Sequence, residues 1–523
     1  AAAVPWVLGA WGLLVGVAMA LRPILPVDET RYLSVAWEMW QRGDLLVPHL
    51  NGLPYSDKPP LLFWLFHLGW WLFGVNEWWP RLVPALFSLA SLFLARSLAR
   101  RLWPDQAAVA RRTPAVLLGL TLWSVYTTLI MFDMLVACAV LVALHGLLTA
   151  RERGIRGWLV VGAALGIGGL AKGPVVLVMP LTVALLAPWW AGTKVGVRWW
   201  AGLLGAVAMG ASIALAWAVP AAAAGGGAYA RAILFTQTEE RLVYSLAHGR
   251  PWWWYLALLP VMLFPYSFWV PAWKGVLRLT ADAGTRFCLA WLMPGLVVFS
   301  LISGKQPHYL LPLLPAVALL IARGMETGGE AGLAARRWHL APPLAFLVLV
   351  GAAIATARWA ERPFRLPTWA GLISPGAGLA LLALAAVFVL SYERLFATRR
   401  TAVTLVGLAL VVALHVGFAE IARKAYDLEP IARYASVMEW QGRPIAFIAP
   451  YHGQLHFLGR LARPFEVIQP GAELVWVHQH PRGKVIQDLD YAPPGLVRAD
   501  FTQSYREDVL AVWGRESLPQ TTP

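Results

Sequence analysis

Several ionisable side chains in this chain stand where apolar segments must begin or end. Asp28, Glu29, Arg31 and Tyr32 open the stretch PVDETRYLSVAWEMWQRG, Asp57 and Lys58 precede Pro59-Pro60, and Asp133 interrupts two apolar runs in MFDML. Lys172 lies in GGLAKGPVV, while SGKQPHYLLP brings Lys305, His308 and Tyr309 together. A lone charge at membrane depth costs about 2.5–3.5 kcal/mol on insertion scales, so groups of this kind are paired, wet or functional. Carboxylates beside Lys, Arg, Tyr and His at an apolar boundary suit a lipid-linked phosphate. Cations neutralise the charge developing on a departing phosphate, and a carboxylate positions or deprotonates an acceptor. The chemistry so described is sugar transfer from a polyprenyl-phosphate donor at the membrane face.

Each group also has a plainer reading. Asp28 can be the N-cap of a helix running from Glu29 to Trp40, with Arg31 and Tyr32 in its first turn. Asp57 and Lys58 can be a surface pair worth little, although Pro59 keeps Lys58 extended and outside the helix that follows. Glu239, Glu240 and Arg241 read as a solvated face. His248, just before Arg-Pro-Trp, can hydrogen-bond a substrate phosphate or join Asp57 as ligand to a divalent metal, though the two have no recognised metal spacing. No cofactor is required by the pattern.

The elements that must position these residues are membrane spans. The 523 residues are 59% hydrophobic and 14% charged, against about 45–50% and about 25% in soluble domains, which excludes a water-soluble globule. Net charge is +15, but Arg collects in short clusters between apolar blocks and forms no basic stripe, so nucleic acid is not the expected partner. Cys138 and Cys288 fall inside apolar blocks and form neither a disulfide framework nor a metal motif. Val4–Leu21 lacks a charged leader and reads as a retained helix.

About thirteen apolar stretches between residues 5 and 421 approach the length a bilayer requires. Short loops rich in Arg and Lys alternate along the chain and are expected on the cytoplasmic side. The long loops 23–80 and 223–251 then face the other side, and Trp doublets mark the headgroup boundary. Within the first loop, LLFWLFHLGWWLFG suits a helix lying in the interface. Three charged junctions, at Asp133, Lys172 and Lys305 to Tyr309, point to the side of that loop, which favours one site. From about residue 423 the character changes: Pro444 to Ile448 and Leu474 to Val477 read as short strands of a small α/β domain. The expected architecture is mainly α, a polytopic membrane helix bundle (residues 1–422) with a soluble C-terminal domain (423–523) on the side of the long loops, of structural or acceptor-docking role.

The succession D-E-x-R-Y at Asp28 to Tyr32, then G-D, N-G and Y-S-D-K-P-P at Tyr55 to Pro60, resembles the first external loop of the lipid A aminoarabinose transferases. These belong with the protein O-mannosyltransferases among the GT-C membrane glycosyltransferases. The similarity continues through Asp133, Lys172-Gly173-Pro174, His248 and Lys305 to Tyr309. It implies a GT-C bundle of about thirteen spans with a periplasmic C-terminal domain, in a bacterial inner membrane with the active site facing the periplasm. It further implies that Asp28 and Asp133 are the catalytic carboxylates, and that Arg31, Tyr32, Tyr55, Lys58, Lys172 and His248 line the donor-phosphate cavity. The acid before Lys58 is usually Glu in that family and is Asp57 here, a shorter reach for a metal. The expected activity is inverting transfer of a sugar from undecaprenyl phosphate to a periplasmic acceptor such as lipid A, with protein O-glycosylation as the alternative. A lipid-linked substrate transporter or flippase is a further reading, against which stands the absence of an internal repeat.

Overall fold

The computed structural model describes residues 3–236, 249–327, 337–360, 368–390, 399–491, 496 and 498–519. The first part of the chain folds as α1 (Ala3–Leu21), α2 (Asp28–Arg42), α3 (Leu61–Phe73), α4 (Trp78–Leu102), α5 (Ala107–Gly119), α6 (Thr121–Thr127), α7 (Asp133–Arg153) and α8 (Ile155–Lys172). Among the described residues eight helices are long and apolar enough to cross a membrane, α1, α4, α7 and α8 among them. A ninth is reached if Val403–Gly417 and Ala419–Trp440, bent by 41°, form one span. The chain is a multi-pass membrane protein.

The difference from about thirteen apolar stretches has a local cause. Residues 113–131 fall into α5 and α6, separated by the extended Leu120, and residues 174–191 divide into a 3-10 turn and two short helices. Residues 252–273 break between Trp254–Met262 and Val270–Leu277. Prolines at 174, 188, 265 and 271 withhold the backbone N–H that a continuous helix needs. Inside a bilayer the groups freed at such a break must find partners. At the α5–α6 break, Thr121 donates from both its backbone N (3.0 Å) and its Oγ1 (3.1 Å) to the carbonyl of Phe264, which lies at the other break.

Two spans are far more enclosed than the rest, α7 and residues 307–326. These two carry Asp133 and His308. α3 has 13 residues, about 20 Å of helix against a hydrocarbon core of about 30 Å, which agrees with its expected place in the interface. α2 buries Leu33, Val35, Ala36 and Met39. Between α2 and α3 a two-stranded hairpin, β1 (His49–Leu50) and β2 (Leu53–Pro54), turns at Asn51 and Gly52, both at positive φ (54° and 83°), as an Asn-Gly hairpin turn requires.

The C-terminal region forms a five-stranded sheet of β3 (Ile445–Ile448), β4 (Glu466–Ile468), β5 (Lys484–Asp488), β6 (Phe501–Tyr505) and β7 (Asp508–Gly514), in the order β4-β3-β5-β7-β6. β3 runs parallel to β4 and β5, and β7 antiparallel to β5 and β6. The strand expected at 445–448 is β3. The one expected at Leu474 to Val477 is instead a helix, Glu473–Gln479. Leu474 and Val475 are exposed while Trp476 and Val477 are buried, a pairwise pattern that fits one face of a helix and not the alternation of a strand. The sheet domain docks on the first long loop: Trp37 Nε1 donates to Leu461 O (2.8 Å), and Asn51 pairs with both backbone groups of Phe465 (2.9 and 2.8 Å). Trp70 of α3 stacks on Phe457 at 5.4 Å.

Candidate active site

The site assembles around the first residue of α7. Asp133 is buried, and its Oδ1 accepts a hydrogen bond from Lys172 Nζ at 2.6 Å. Lys172 reaches it from the last position of α8, and the same ammonium lies 4.9 Å from the centre of the Tyr309 ring. The second oxygen of Asp133, Oδ2, is buried and receives no hydrogen bond from any described residue. His308 meets Tyr309 edge-on at 4.8 Å and faces Tyr126, whose hydroxyl is 3.5 Å from His308 Nδ1. His308 lies within charge range of Asp133, Lys172, Asp28 and Lys58, so the three junctions converge as expected on a single centre.

α2 supplies the second carboxylate. The helix begins at Asp28 itself, and Val27 precedes it without a side-chain cap. The capping role is therefore corrected: Asp28 is half-exposed, forms an ion pair with Arg31 one turn on, and accepts from the Tyr32 hydroxyl at 3.2 Å. Burial pushes the Tyr32 phenol well above its ordinary pKa, assisted by Asp28 and Tyr55, so it remains a proton donor. Burial opposes the Arg31 charge, but Tyr55, Tyr32 and Asp28 outweigh it and hold the guanidinium above its usual value. The Tyr32 ring meets Phe132 edge-on at 4.9 Å. That contact joins the first turn of α2 to the residue just before Asp133, and Tyr32 is within charge range of both Asp133 and Tyr55.

Glu29, next to Asp28, does different work. It is buried and accepts from Arg22 (2.5 and 3.0 Å), from Leu25 N (2.8 Å) and from Ile130 N (2.8 Å). Arg22 continues to Thr128 O at 2.6 Å. This buried pair fastens the end of α1 and the start of α2 to the segment leading into α7, and so sets the separation of the two candidate carboxylates. A charge at the end of the first apolar run is the sequence signal for Arg22; the identity of its partner had none.

The remaining residues divide. Tyr55 is buried with its backbone N bonded to Pro48 O (2.7 Å). Lys58 lies outside α3, which starts at Leu61, and is in charge range of His308. Asp57 is in charge range of His452, a residue of the C-terminal domain without any local motif. Lys305 is placed differently from the donor contact expected of it: its ammonium is buried and donates to the carbonyls of Arg250 (2.9 Å) and Ile302 (2.5 Å), beside the Gly249–Gly304 bridge. His248, and with it the metal pair Asp57–His248, lies outside the described residues, as do Glu239, Glu240 and Arg241. The one group of three potential metal ligands among the described residues is Asp488, Asp490 and Asp508, on the C-terminal sheet and its edge.

Residues 57–223 match the family described as dolichyl-phosphate-mannose-protein mannosyltransferase. An undecaprenyl phosphate-alpha-4-amino-4-deoxy-L-arabinose arabinosyl transferase of Pseudomonas aeruginosa is 35% identical over 326 residues, 60% of this chain and 58% of that relative. One of the same description from Erwinia tasmaniensis is 29% identical over 330 residues, again 60% and 58%. These matches thus span well under two thirds of the relatives' own length. The crystal structure of ArnT from Cupriavidus metallidurans bound to undecaprenyl phosphate superposes with a TM-score of 0.73 at 21% identity, covering 99% of this chain and 98% of that one. The resemblance read from the motifs is upheld as a resemblance, and the fold is that of the Cupriavidus metallidurans ArnT structure.

Proposed function

We propose that this chain transfers a sugar from a polyprenyl phosphate, undecaprenyl phosphate, to an acceptor on the periplasmic face of a bacterial inner membrane, such as lipid A, with inversion at the anomeric carbon. The observation that carries the reading is the convergence of a buried Asp133–Lys172 pair and a half-exposed Asp28–Arg31–Tyr32 cluster beside the same His308. The relatives' descriptions, which name an undecaprenyl phosphate-linked aminoarabinose, support the donor class.

The step balances as follows. An acceptor oxygen bonds to C1 of the sugar while the bond from C1 to the phosphate oxygen breaks, and the bonding pair leaves with undecaprenyl phosphate. Lys58, Lys172 and Arg31 neutralise the negative charge that gathers on the departing phosphate. Asp28, open to water on one side, takes the proton of a hydroxyl acceptor or orients a phosphate acceptor that is already ionised. Asp133 aims Lys172, and its remaining oxygen is left to accept from the sugar. Asp57 and His248 would hold a divalent metal, which would add positive charge at the donor phosphate, and no step above depends on it.

The family matched by residues 57–223 favours a second acceptor class, a protein hydroxyl. The test uses purified protein in detergent with undecaprenyl-phosphate aminoarabinose, offering lipid A or a Ser/Thr peptide, with products read by mass. Transfer to lipid A that vanishes in Asp28→Asn and Asp133→Asn, with both variants folded, is the expected result. Full turnover in either variant removes that carboxylate from the mechanism.

A further inference from the structure

A cavity of about 500 Å³ opens next to the Arg22–Glu29 clamp, where Leu21, the last residue of α1, forms part of its wall. The other walls come from the end of the helix Ala341–Ala360, from the turn at 371–375 that starts the helix Pro375–Leu390, and from the end of the last apolar stretch, Val416 to Lys424. Four apolar helices thus begin or end around one hollow. It exists because the helix Arg399–Gly417 does not run on straight: the chain bends by 41° before Ala419. Ser374 N donates to Gly417 O at 3.1 Å and so fixes two of the walls to each other. None of the residues of the candidate active site lines this cavity.

Its charge is unbalanced. Arg423 and Lys424 share the single carboxylate of Glu420, at 3.4 and 3.1 Å. Arg358, in the last turn of its helix, forms no ion pair with a described residue, and its guanidinium lies 5.5 Å from the centre of the Trp359 ring. Three bases against one acid leave an excess of two positive charges at the cavity. The N-terminus of the 16-residue helix Pro375–Leu390 opens on the same hollow through Ser374 and Pro375 and adds the positive end of its dipole. Leu21, Ile373 and Val416 make a second wall without charge. Trp359 is exposed at the end of its span, where an indole marks the headgroup boundary. A cationic pocket with an apolar wall at that level matches a lipid whose phosphate meets the bases and whose chains follow the wall. A free anion has no use for the wall, and a neutral lipid leaves the excess charge unmatched. The volume is that of a ligand site, about 300–1,000 Å³.

We infer that this cavity holds the phosphodiester headgroup of an anionic phospholipid, a lipid that is neither donor nor acceptor in the transfer reaction. The phosphate meets Arg358 on one wall and Arg423 and Lys424 on the other, and so ties the helix Ala341–Ala360 and the last apolar stretch to the end of α1. Because Leu21 adjoins Arg22, the bound lipid supports the clamp that sets the separation of Asp28 and Asp133. The inference goes beyond the transfer reaction and does not depend on it.

The test is a binding measurement on the full chain, stripped of lipid in a nonionic detergent. Phosphatidylglycerol, phosphatidylcholine or inorganic phosphate is added, bound lipid is read by native mass spectrometry, and the melting temperature is followed alongside. Phosphatidylglycerol is expected to bind about tenfold more tightly than phosphatidylcholine and to raise the melting temperature. Arg358→Gln and Arg423→Gln should each weaken it about fivefold, the scale of one basic residue at an anionic headgroup. The triple variant that adds Lys424→Gln should lose both the preference and the rise in melting temperature, whereas Glu420→Gln, which removes the competing acid, should bind more tightly. The Arg423 and Lys424 side chains are exposed, so these variants keep the fold. An undiminished preference in the triple variant overturns the inference. So does an equal rise in melting temperature with inorganic phosphate, which would make the site one for a free anion. Lipid A that displaces phosphatidylglycerol mole for mole would overturn its assignment to a lipid outside the reaction. The transferase reading stands under each of these outcomes.

Discussion

Two buried ion pairs in this protein look alike and do opposite work. In Arg22–Glu29 both carboxylate oxygens are taken by Arg22 and backbone N–H groups, whereas Asp133–Lys172 leaves one carboxylate oxygen without a partner among the described residues. Breaking a buried pair strands a charge and costs about 3–5 kcal/mol, while removing both charges is often tolerated. Lys172→Met alone is therefore expected to lower both the melting temperature in detergent and turnover. Adding Asp133→Asn should restore most of the stability and none of the activity; recovery of activity in the double variant would make the pair structural. Glu29→Ala should destabilise by a similar amount. Lys305→Met separates a backbone clamp from a donor contact, since loss of stability with an unchanged donor KM is the expected outcome and a raised donor KM would return the ammonium to the phosphate. None of these distinctions was legible locally, because Asp28 and Glu29 are adjacent acids at the head of one helix and only their neighbours in space divide their tasks.

At the level of elements, the dock between α2 and the C-terminal domain has a built-in acid limit. His456, in the short helix His456–Gly459, is buried, accepts at Nδ1 from the Tyr451 hydroxyl (2.5 Å) and donates from Nε2 to Arg463 O (3.1 Å). Both ring nitrogens are thus used by the neutral form. Burial outweighs the Arg463 bond and holds the imidazole down to about 4. An unfolded histidine takes up its proton near 6.5, so between about 6.5 and 4 the unfolded state binds more protons and stability falls as pH falls, by up to about 3 kcal/mol. Above 6.5 this group makes no difference. Melting measured at pH 7 and pH 5 should show the loss in wild type, and a smaller loss in His456→Gln; equal losses would place the acid-sensitive group elsewhere. The sequence announced the helical blocks through hydropathy, but the breaks within them, and the helix at Glu473–Gln479 where a strand was expected, follow from which faces the neighbours cover.

For the whole molecule, orientation is the property with the widest consequence, because a site on the wrong leaflet could meet no periplasmic acceptor. In the orientation expected from the Arg-rich loops, residues 192–196 are cytoplasmic and the C-terminal domain lies opposite. Cys138 and Cys288 are buried, so introduced thiols report alone. Glu507→Cys, in the exposed β6–β7 turn, should react with an impermeant maleimide in cells whose outer membrane alone has been opened, and Thr193→Cys only after the inner membrane is breached. The reverse pattern would invert the molecule and end the proposed reaction.

Composition and spacing alone determined that this chain lives in a bilayer, that its ionisable residues gather at span ends on one side, and that Asp28, Arg31 and Tyr32 share a helical turn. Those properties are local: hydropathy is summed over a span and helical neighbours are fixed by 3.6-residue periodicity. Which acid faces which base was decided only by the tertiary structure. Lys172 meets Asp133 because α7 and α8 pack as a hairpin, Asp28 is freed from capping because the fold engages it with Arg31 and Tyr32, and His452 arrives from a domain that carries no motif of its own. Such pairings arise from the packing of distant segments, where a contact depends on shapes that no short window of sequence contains.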